Sequence, residues 1–188
     1  MMILSIIVTV PYLILIGGFV YGFNKIKTFH LKGIPPKTKF SVVIPFRNEA
    51  KNLPALLQSI EALNYSKKFF EVILINDASE DDSVKIIESF LKRSSKSIQV
   101  IPNKRQTESP KKDAITSAID KAQNNWIITT DADCILPNYW LDSFDAYIQH
   151  SEASCVAAPV TYNNENTFLN RFQILDILSL PGATVGGF

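Results

Sequence analysis

The chain has 188 residues, of which 46% are hydrophobic, 11% aromatic and 20% charged, and its formal net charge is +1. These proportions exclude a disordered or fibrous protein, and the near-neutral charge argues against a nucleic-acid partner held by bulk electrostatics. Two cysteines (Cys134, Cys155) and two histidines (His30, His150) are too few for a disulfide scaffold or a His-rich metal centre, and we interpret them as non-catalytic.

The first 23 residues carry no charged side chain. As a helix they would extend ~34 Å, enough to cross a hydrocarbon core of about 30 Å. They therefore predict a transmembrane anchor over residues 1–23 in contact with a lipid bilayer. A cleaved signal peptide is disfavoured, because the run lacks a basic start and residues 21–24 make a poor cleavage site. A buried core helix is the remaining alternative.

A basic tether is predicted over residues 24–39. Its lysines precede the first acidic residue of the chain, Glu49, and they are Lys25, Lys27, Lys32, Lys37 and Lys39. Cations directly after a membrane span mark its cytoplasmic side. We therefore expect a membrane protein with a single N-terminal span and a cytoplasmic domain, a compartment in which reduced cysteines are normal.

The hydrophobic pattern alternates between strand and helix from residue 40 onward. Five apolar runs predict strands, at residues 40–45, 70–75, 99–101, 126–130 and 154–160. Apolar residues at helical spacing predict helices within residues 53–63, 84–91, 115–122 and 140–148. This order predicts an α/β domain over residues 40–165, with a mostly parallel nucleotide-binding sheet covered by helices on both faces. Residues 103–112 are interpreted as an exposed loop.

Ligands of open α/β sheets bind beyond the carboxyl ends of the strands. The candidate substrate contacts at those ends are Pro45, Arg47, Asn48, Glu49, Asp77 and Asp131, with Lys111 before the third helix of this domain. Residues 34–181 contain no glycine, which excludes a Walker loop or a dinucleotide fingerprint. A divalent ion would solve this problem, because Asp131 and Asp133 are hard oxygen ligands that suit Mg²⁺ or Mn²⁺ and allow the ion to bridge to a diphosphate.

Each of these motifs has a structural alternative. An Asp-x-Asp sequence is often a surface turn, and Asp133 is also placed to cap a helix entered at Pro137. Residues 79–82 are interpreted as capping and charging a helix N-terminus. Lys111 and Arg47 either meet a phosphate group or belong to ordinary solvated loops.

Four ordered motifs resemble the inverting family 2 glycosyltransferases with the GT-A nucleotide-sugar fold. Residues 42–49 resemble the first-strand signature of that family. Residues 73–81 are similar to its V-D-D-G-S-x-D segment, with Asn76 and Ala78 in place of the first Asp and the Gly. Residues 110–114 resemble its G-K-x-x-A stretch without the glycine, and residues 130–133 match its metal-holding D-x-D.

The resemblance implies transfer of a sugar from a nucleoside diphosphate sugar, with UDP as the family default, and inversion at the anomeric carbon. It implies that Asp131 and Asp133 hold the metal and the diphosphate, and that Asp77 contacts the nucleobase or ribose. The general base of the family is an Asp in a later acidic motif, so the catalytic residue is expected beyond Phe188. We accordingly interpret the chain as truncated at its C-terminus, with residues 166–188 as the start of an incomplete acceptor region.

Two other functions are consistent with parts of the pattern. A truncated, non-catalytic module would bind a nucleotide or a partner without turnover. A phospho-accepting receiver domain also clusters acids at strand ends, but the tandem Asp131 and Asp133 fit it poorly. Residues 166–180, with the apolar residues Phe168, Phe172, Leu175 and Leu178, predict an amphipathic helix that packs on structure missing from this chain or lies at the membrane surface, and the aromatic residues favour core packing.

Overall fold

The computed structural model describes residues 2–25, 29, 33–162 and 167–186. Two compact units are present, one of them Leu31–Ala153 and the other composed of Met1–His30 and Ser154–Phe188. Predictions that concern Lys27, His30 and Lys32 lie outside the described residues, as do those for residues 163–166, Gly187 and Phe188.

The larger unit contains a four-stranded sheet. Its strands are β1 (Phe40–Phe46), β2 (Phe70–Asn76), β3 (Ile98–Pro102) and β4 (Trp126–Thr129). All neighbouring strands are parallel and their order is β3-β2-β1-β4. The predicted parallel sheet is confirmed, and four of the five predicted strands are found within a residue or two of their expected limits.

Six helices are present in the described part of the chain. They are α1 (Met2–Asn24), α2 (Leu53–Glu61), α3 (Ser83–Leu91), α4 (Pro110–Ile119), α5 (Trp140–His150) and α6 (Phe168–Gly186). The third predicted helix begins earlier than expected, because Pro110 occupies the first turn, where its missing N–H is harmless. Lys111 and Lys112 therefore lie inside that first turn, and the predicted loop 103–112 is shorter by three residues.

The chain order explains why helices cover both faces of the sheet. The chain steps from β1 to β2 to β3 in one direction and then returns to β4 on the other side of β1. Because parallel crossovers are right-handed, this reversal places α4 on the face opposite α2 and α3. Accordingly α4 packs through Ala114 and Ala118 against Val43, while the leucines of α2 pack with Val42 and Ile44 on the other face. Helices on both faces are thus confirmed.

Residues 33–39 lead into β1 and are held against α5. The buried carboxylate of Asp145 accepts hydrogen bonds from the backbone N–H groups of Lys37 and Thr38, at 3.2 and 3.0 Å. The Tyr65 hydroxyl donates to the Thr38 carbonyl oxygen at 2.7 Å. These contacts fix the start of the central strand.

The predicted fifth strand, residues 154–160, is wrong. These residues are described and adopt no regular structure, and most of them are exposed. An apolar run of this kind forms a strand only where a neighbouring strand accepts its backbone hydrogen bonds, and none of the described strands pairs with it. An apolar sequence pattern shows that a segment is able to form a strand, but it does not show that a neighbouring strand is present.

The second unit contains α1 and α6, which contact each other. Within α1, Ile6–Asn24 is long and apolar enough to cross a membrane, as judged by length and composition. The α6 residues Phe168, Phe172 and Leu175 are 87%, 60% and 69% exposed in this chain, and their packing on further structure stays a prediction. Apolar residues occur on all sides of α6, so contact with one neighbour leaves many of them uncovered.

Candidate functional site

A cavity of about 440 Å³ lies at the carboxyl edge of the sheet. It opens where the order of strands reverses, between β1 and β4, which is the position at which open α/β sheets bind ligands. The residues that line it are Pro45, Phe46, Arg47, Glu49, Asp77, Pro110, Lys111, Ala114, Asp131, Ala132 and Asp133. The structure therefore brings together all the candidate substrate and metal contacts except Asn48.

Asn48 instead joins the loop after β1 to the loop after β2. Its backbone N–H donates to the Ser79 hydroxyl at 3.1 Å, and its side-chain oxygen accepts from the Glu80 N–H at 2.8 Å. Asn48 and Ala78 both have positive φ angles, 55° and 57°. Asn adopts this left-handed conformation more readily than Ala, so the strain is greater at Ala78.

Further hydrogen bonds strengthen the link between these two loops. The Asp81 carboxylate accepts from the N–H groups of Ala50 and Ser83, both at 3.0 Å, and the Ser83 hydroxyl accepts from the Glu49 N–H at 2.9 Å. Asp81 therefore satisfies an N–H at the start of α3, in keeping with the predicted capping role of residues 79–82. Asp82 makes no such bond and pairs with Lys85.

Asp77 is held rigidly by residues that follow β3. Its side chain is buried, with 8% of the residue exposed. The Arg105 guanidinium donates to both carboxylate oxygens at 2.7 Å, and the Asn103 amide adds a third bond at 2.6 Å. Arg105 holds the pKa of Asp77 below its usual value, against the opposing effect of burial. Asp77 is therefore a fixed, charged acceptor in the wall of the cavity.

Sequence reasoning missed Arg105 and Asn103, because the run 103–112 was interpreted only as an exposed loop. A signal for them existed. Both residues come directly after a predicted strand, and the carboxyl ends of parallel strands share one edge of a sheet. What the sequence does not state is that β3 lies next to β2, which is why these side chains reach Asp77.

Lys111 and Asp131 form an ion pair across the cavity. The ammonium nitrogen of Lys111 lies 2.5 Å from Asp131 Oδ1, and the two side chains are 63% and 55% exposed. Lys111 is the second residue of α4, whereas Asp131 follows β4. The helix and the strand thus present opposite charges to the same space.

Asp131 and Asp133 flank Ala132 in a tight turn. Ala132 is buried, while both aspartates are exposed at the cavity, and the Cys134 N–H closes the turn on the Asp131 carbonyl oxygen at 3.3 Å. Asp133 caps no helix, since α5 begins only at Trp140. The Asp-x-Asp sequence therefore does form a surface turn, as the structural alternative expected. This turn nevertheless presents its two carboxylates to the cavity.

The donor set suits a hard divalent cation. Within the described ranges, no group of three or more His, Cys, Asp or Glu side chains is arranged to hold a metal. Two carboxylates supply only part of a coordination shell, which is how Mg²⁺ is commonly bound, with water and substrate phosphates completing it. The ammonium group of Lys111 lies at one of these carboxylates, Asp131.

A larger cavity, of about 780 Å³, lies between α2 and α3. Its lining includes Leu57, Ile86 and Phe90 together with a few charged side chains. None of the candidate site residues borders it, and it lacks the convergent carboxylates that the smaller cavity has. We therefore assign the functional site to the smaller one.

Comparison with known proteins gives both sequence and structural relatives. The sequence profile of Glycosyl transferase family 2 matches residues 41–184. The undecaprenyl-phosphate 4-deoxy-4-formamido-L-arabinose transferase of Pseudomonas savastanoi pv. phaseolicola is 36% identical over 102 residues, covering 53% of this chain and 29% of that protein. The poly-beta-1,6-N-acetyl-D-glucosamine synthase of Staphylococcus epidermidis is 25% identical over 179 residues, covering 89% and 41%. The chain thus spans less than half the length of these relatives.

Solved structures share the fold. Residues 1–349 of TarS from S. aureus, in complex with UDP-GlcNAc, match with a TM-score of 0.53 and 26% identity over 60% of this chain and 32% of that one. The mannosyltransferase PcManGT from Pyrobaculum calidifontis, in complex with GDP-Man and Mn²⁺, matches with a TM-score of 0.61 over 79% of this chain and 46% of that one. Its 19% identity establishes the fold alone. The GT-A-like fold is confirmed, and since the profile covers well over half of the chain, the protein belongs to glycosyl transferase family 2.

Proposed function

We propose that the chain is the donor-binding part of a membrane-anchored glycosyltransferase that transfers a sugar from a UDP-sugar to an acceptor with inversion, using Mg²⁺ or Mn²⁺. The observation that carries this proposal is the cavity at the strand reversal. Lys111 borders that cavity together with four carboxylates, those of Glu49, Asp77, Asp131 and Asp133, in a family 2 protein. Asp77 and Asp131 each pair with a cationic side chain, whereas Asp133 forms no ion pair with any described residue, so a divalent cation at Asp131 and Asp133 would offset the remaining negative charge.

The nucleoside end of the donor is assigned to the β2 side of the cavity. Asp77 offers a fixed carboxylate there, and Arg105 keeps it ionised and oriented. A group of this kind discriminates between ligands by hydrogen bonding, because its own position is already determined. UDP is the preferred nucleotide because TarS, at 26% identity, has been solved with UDP-GlcNAc and with UDP.

The diphosphate is assigned to the β4 side. Asp131 and Asp133 would hold the divalent cation, and Lys111 would contact a phosphate oxygen from the start of α4. The cation would neutralise the charge that develops on the departing diphosphate. This arrangement replaces the glycine-rich loop that residues 34–181 lack.

Membrane anchoring is assigned to α1. Its described side chains from Ile6 onward are almost all exposed, including isoleucine, leucine and valine residues that water would solvate poorly. A bilayer covers such a surface. The lysines that follow the helix in the sequence support a cytoplasmic location for the sheet-containing unit.

Calorimetric titration of UDP, GDP and dTDP into the full chain in detergent, with Mn²⁺ or with EDTA, tests the proposal. We expect UDP to bind only with Mn²⁺, and Asp133→Asn to weaken that binding at least about tenfold, as expected for loss of a charged ligand. Asp120→Asn is the matched control, because Asp120 is an exposed aspartate at the end of α4 that does not border the cavity. UDP binding that ignores both EDTA and Asp133→Asn would refute the assignment.

A further inference from the structure

The ion pair between Lys111 and Asp131 occupies the place where a bound donor would need both groups. Lys111 Nζ lies 2.5 Å from Asp131 Oδ1, and both residues line the cavity. While this contact persists, one Asp131 oxygen is occupied by an ammonium group. A divalent cation that binds Asp131 must compete with that group for the same oxygen.

The position of Lys111 within α4 is not explained by the stability of the helix. Lys111 is the second residue of the helix, where the partial positive charge of the helix N-terminus disfavours a cation. Asp113, the acidic residue of the first turn, is already bonded to the N–H groups of Gln106 and Thr107, at 2.9 and 2.8 Å. A lysine at this point is therefore better explained by what it contacts in the cavity.

Exposure makes the Lys111–Asp131 contact easy to exchange. The side chains are 63% and 55% exposed, and ion pairs of this kind contribute little to stability. The ion pair of Asp77, another residue that lines the cavity, differs, because Arg105 binds this buried carboxylate through two parallel hydrogen bonds. The Arg105–Asp77 pair is therefore a fixed contact, whereas the Lys111–Asp131 pair can exchange its partners.

We propose that Lys111 is an exchangeable counter-cation: it pairs with Asp131 before metal and donor bind, and it moves to the donor diphosphate when a divalent cation binds Asp131 and Asp133. This inference rests on the proposed function. The site then stays close to charge balance in both states, since a cation faces Asp131 before and after binding. Metal alone binds poorly because it must displace Lys111, whereas metal together with a diphosphate gives the displaced ammonium group a new partner.

The exchange predicts shifts of opposite sign for one substitution. In Lys111→Gln, the affinity for Mn²⁺ alone should rise about two- to fivefold, the range expected when an exposed ion pair no longer competes. The affinity for UDP in saturating Mn²⁺ should fall at least about tenfold, since a charged contact to the diphosphate is lost. A purely structural role for Lys111 would not produce this divergence.

The experiment uses the full chain in detergent and two readouts. The electron paramagnetic resonance signal of free Mn²⁺ measures binding of the metal alone, and calorimetry measures UDP at saturating Mn²⁺. Lys112→Gln is the matched control, because Lys112 is the next residue of the same helix, is exposed and does not line the cavity. Lys111→Arg retains the charge, so both affinities should shift less than they do in Lys111→Gln.

Each outcome is decisive. Opposite shifts in Lys111→Gln, absent from Lys112→Gln, would support the exchange. Unchanged Mn²⁺ affinity in Lys111→Gln, equal shifts in both glutamine variants, or an arginine variant that behaves like Lys111→Gln would overturn it while leaving the donor site in place. Absence of Mn²⁺-dependent UDP binding in the unaltered protein would overturn the proposed function and this inference together.

Discussion

Replacement of Ala78 with glycine is expected to raise the free energy of unfolding. Ala78 has a φ of 57°, a conformation that costs an L-residue with a Cβ atom about 1–2 kcal/mol. Glycine removes that cost but loses about 0.5–1 kcal/mol through its greater freedom in the unfolded chain. Ala78 is exposed, so little apolar burial is lost with its methyl group. The net expectation is a stabilisation of roughly 0.5–1 kcal/mol.

Asn48→Gly provides a control with the opposite sign. Asn48 has nearly the same φ, 55°, but asparagine tolerates this conformation better than alanine. Its side-chain oxygen also accepts the Glu80 N–H at 2.8 Å, a bond that is lost in the variant. With about 1 kcal/mol lost and little strain relieved, Asn48→Gly should be destabilising.

Urea unfolding of the full chain in detergent, followed by tryptophan fluorescence, measures both effects. The two tryptophans, Trp126 and Trp140, both lie in the sheet-containing unit, so the signal reports that unit. UDP affinity should change less than about twofold in Ala78→Gly, because Ala78 does not line the cavity. If Ala78→Gly lowers the unfolding free energy, or if both variants shift in the same direction, the assignment of strain to Ala78 is wrong.

Asp145→Ala should lower the unfolding free energy by about 2–3 kcal/mol in the same assay, since the N–H groups of Lys37 and Thr38 lose their acceptor. Burial opposes ionisation of Asp145, but hydrogen bonds from these residues outweigh it and leave its pKa below the ordinary value. Its stabilisation should therefore be full above about pH 4 and be lost as pH falls through the lowered pKa, and Asp145→Ala should reduce this acid sensitivity. Glu71→Ala should cost about 2 kcal/mol, because buried Glu71 accepts from the Ser41 hydroxyl at 2.6 Å at the opposite edge of the sheet, yet UDP binding measured by calorimetry should not change. A weakened UDP affinity in Glu71→Ala would show that this edge communicates with the cavity.

Local sequence patterns were sufficient to predict much of the fold. Runs such as residues 70–75 are apolar on both faces, so they identify buried parallel strands without knowledge of their neighbours. The failure at residues 154–160 has the opposite cause, because pairing depends on a partner that no local pattern specifies. The start of α4 was predicted late because Lys111 and Lys112 obscured the signal of Pro110, a favoured first-turn residue.

The residues of the candidate site likewise fall into those that local sequence patterns predict and those that depend on tertiary structure. Residues at strand ends, such as Glu49 and Asp131, could be placed at one edge from the alternation of strands and helices alone. The Asp77–Arg105 contact could not, because it depends on the adjacency of β2 and β3 in the sheet order. Asn48 could not be separated from its neighbours either, since its bonds to Ser79 and Glu80 arise from the meeting of two loops.

The absence of glycine at position 78 also shows how the loop after β2 is stabilised. The loop after β2 keeps a left-handed residue although Ala78 stands where the family segment has glycine. That conformation must therefore be imposed by tertiary contacts, and the contacts are present: Asn48 N–H donates to the Ser79 hydroxyl at 3.1 Å and Ala50 N–H donates to Asp81 at 3.0 Å. Strain retained in this way persists only where surrounding structure determines the backbone. Ala78 directly follows Asp77, so the same contacts hold the backbone next to a residue that lines the cavity.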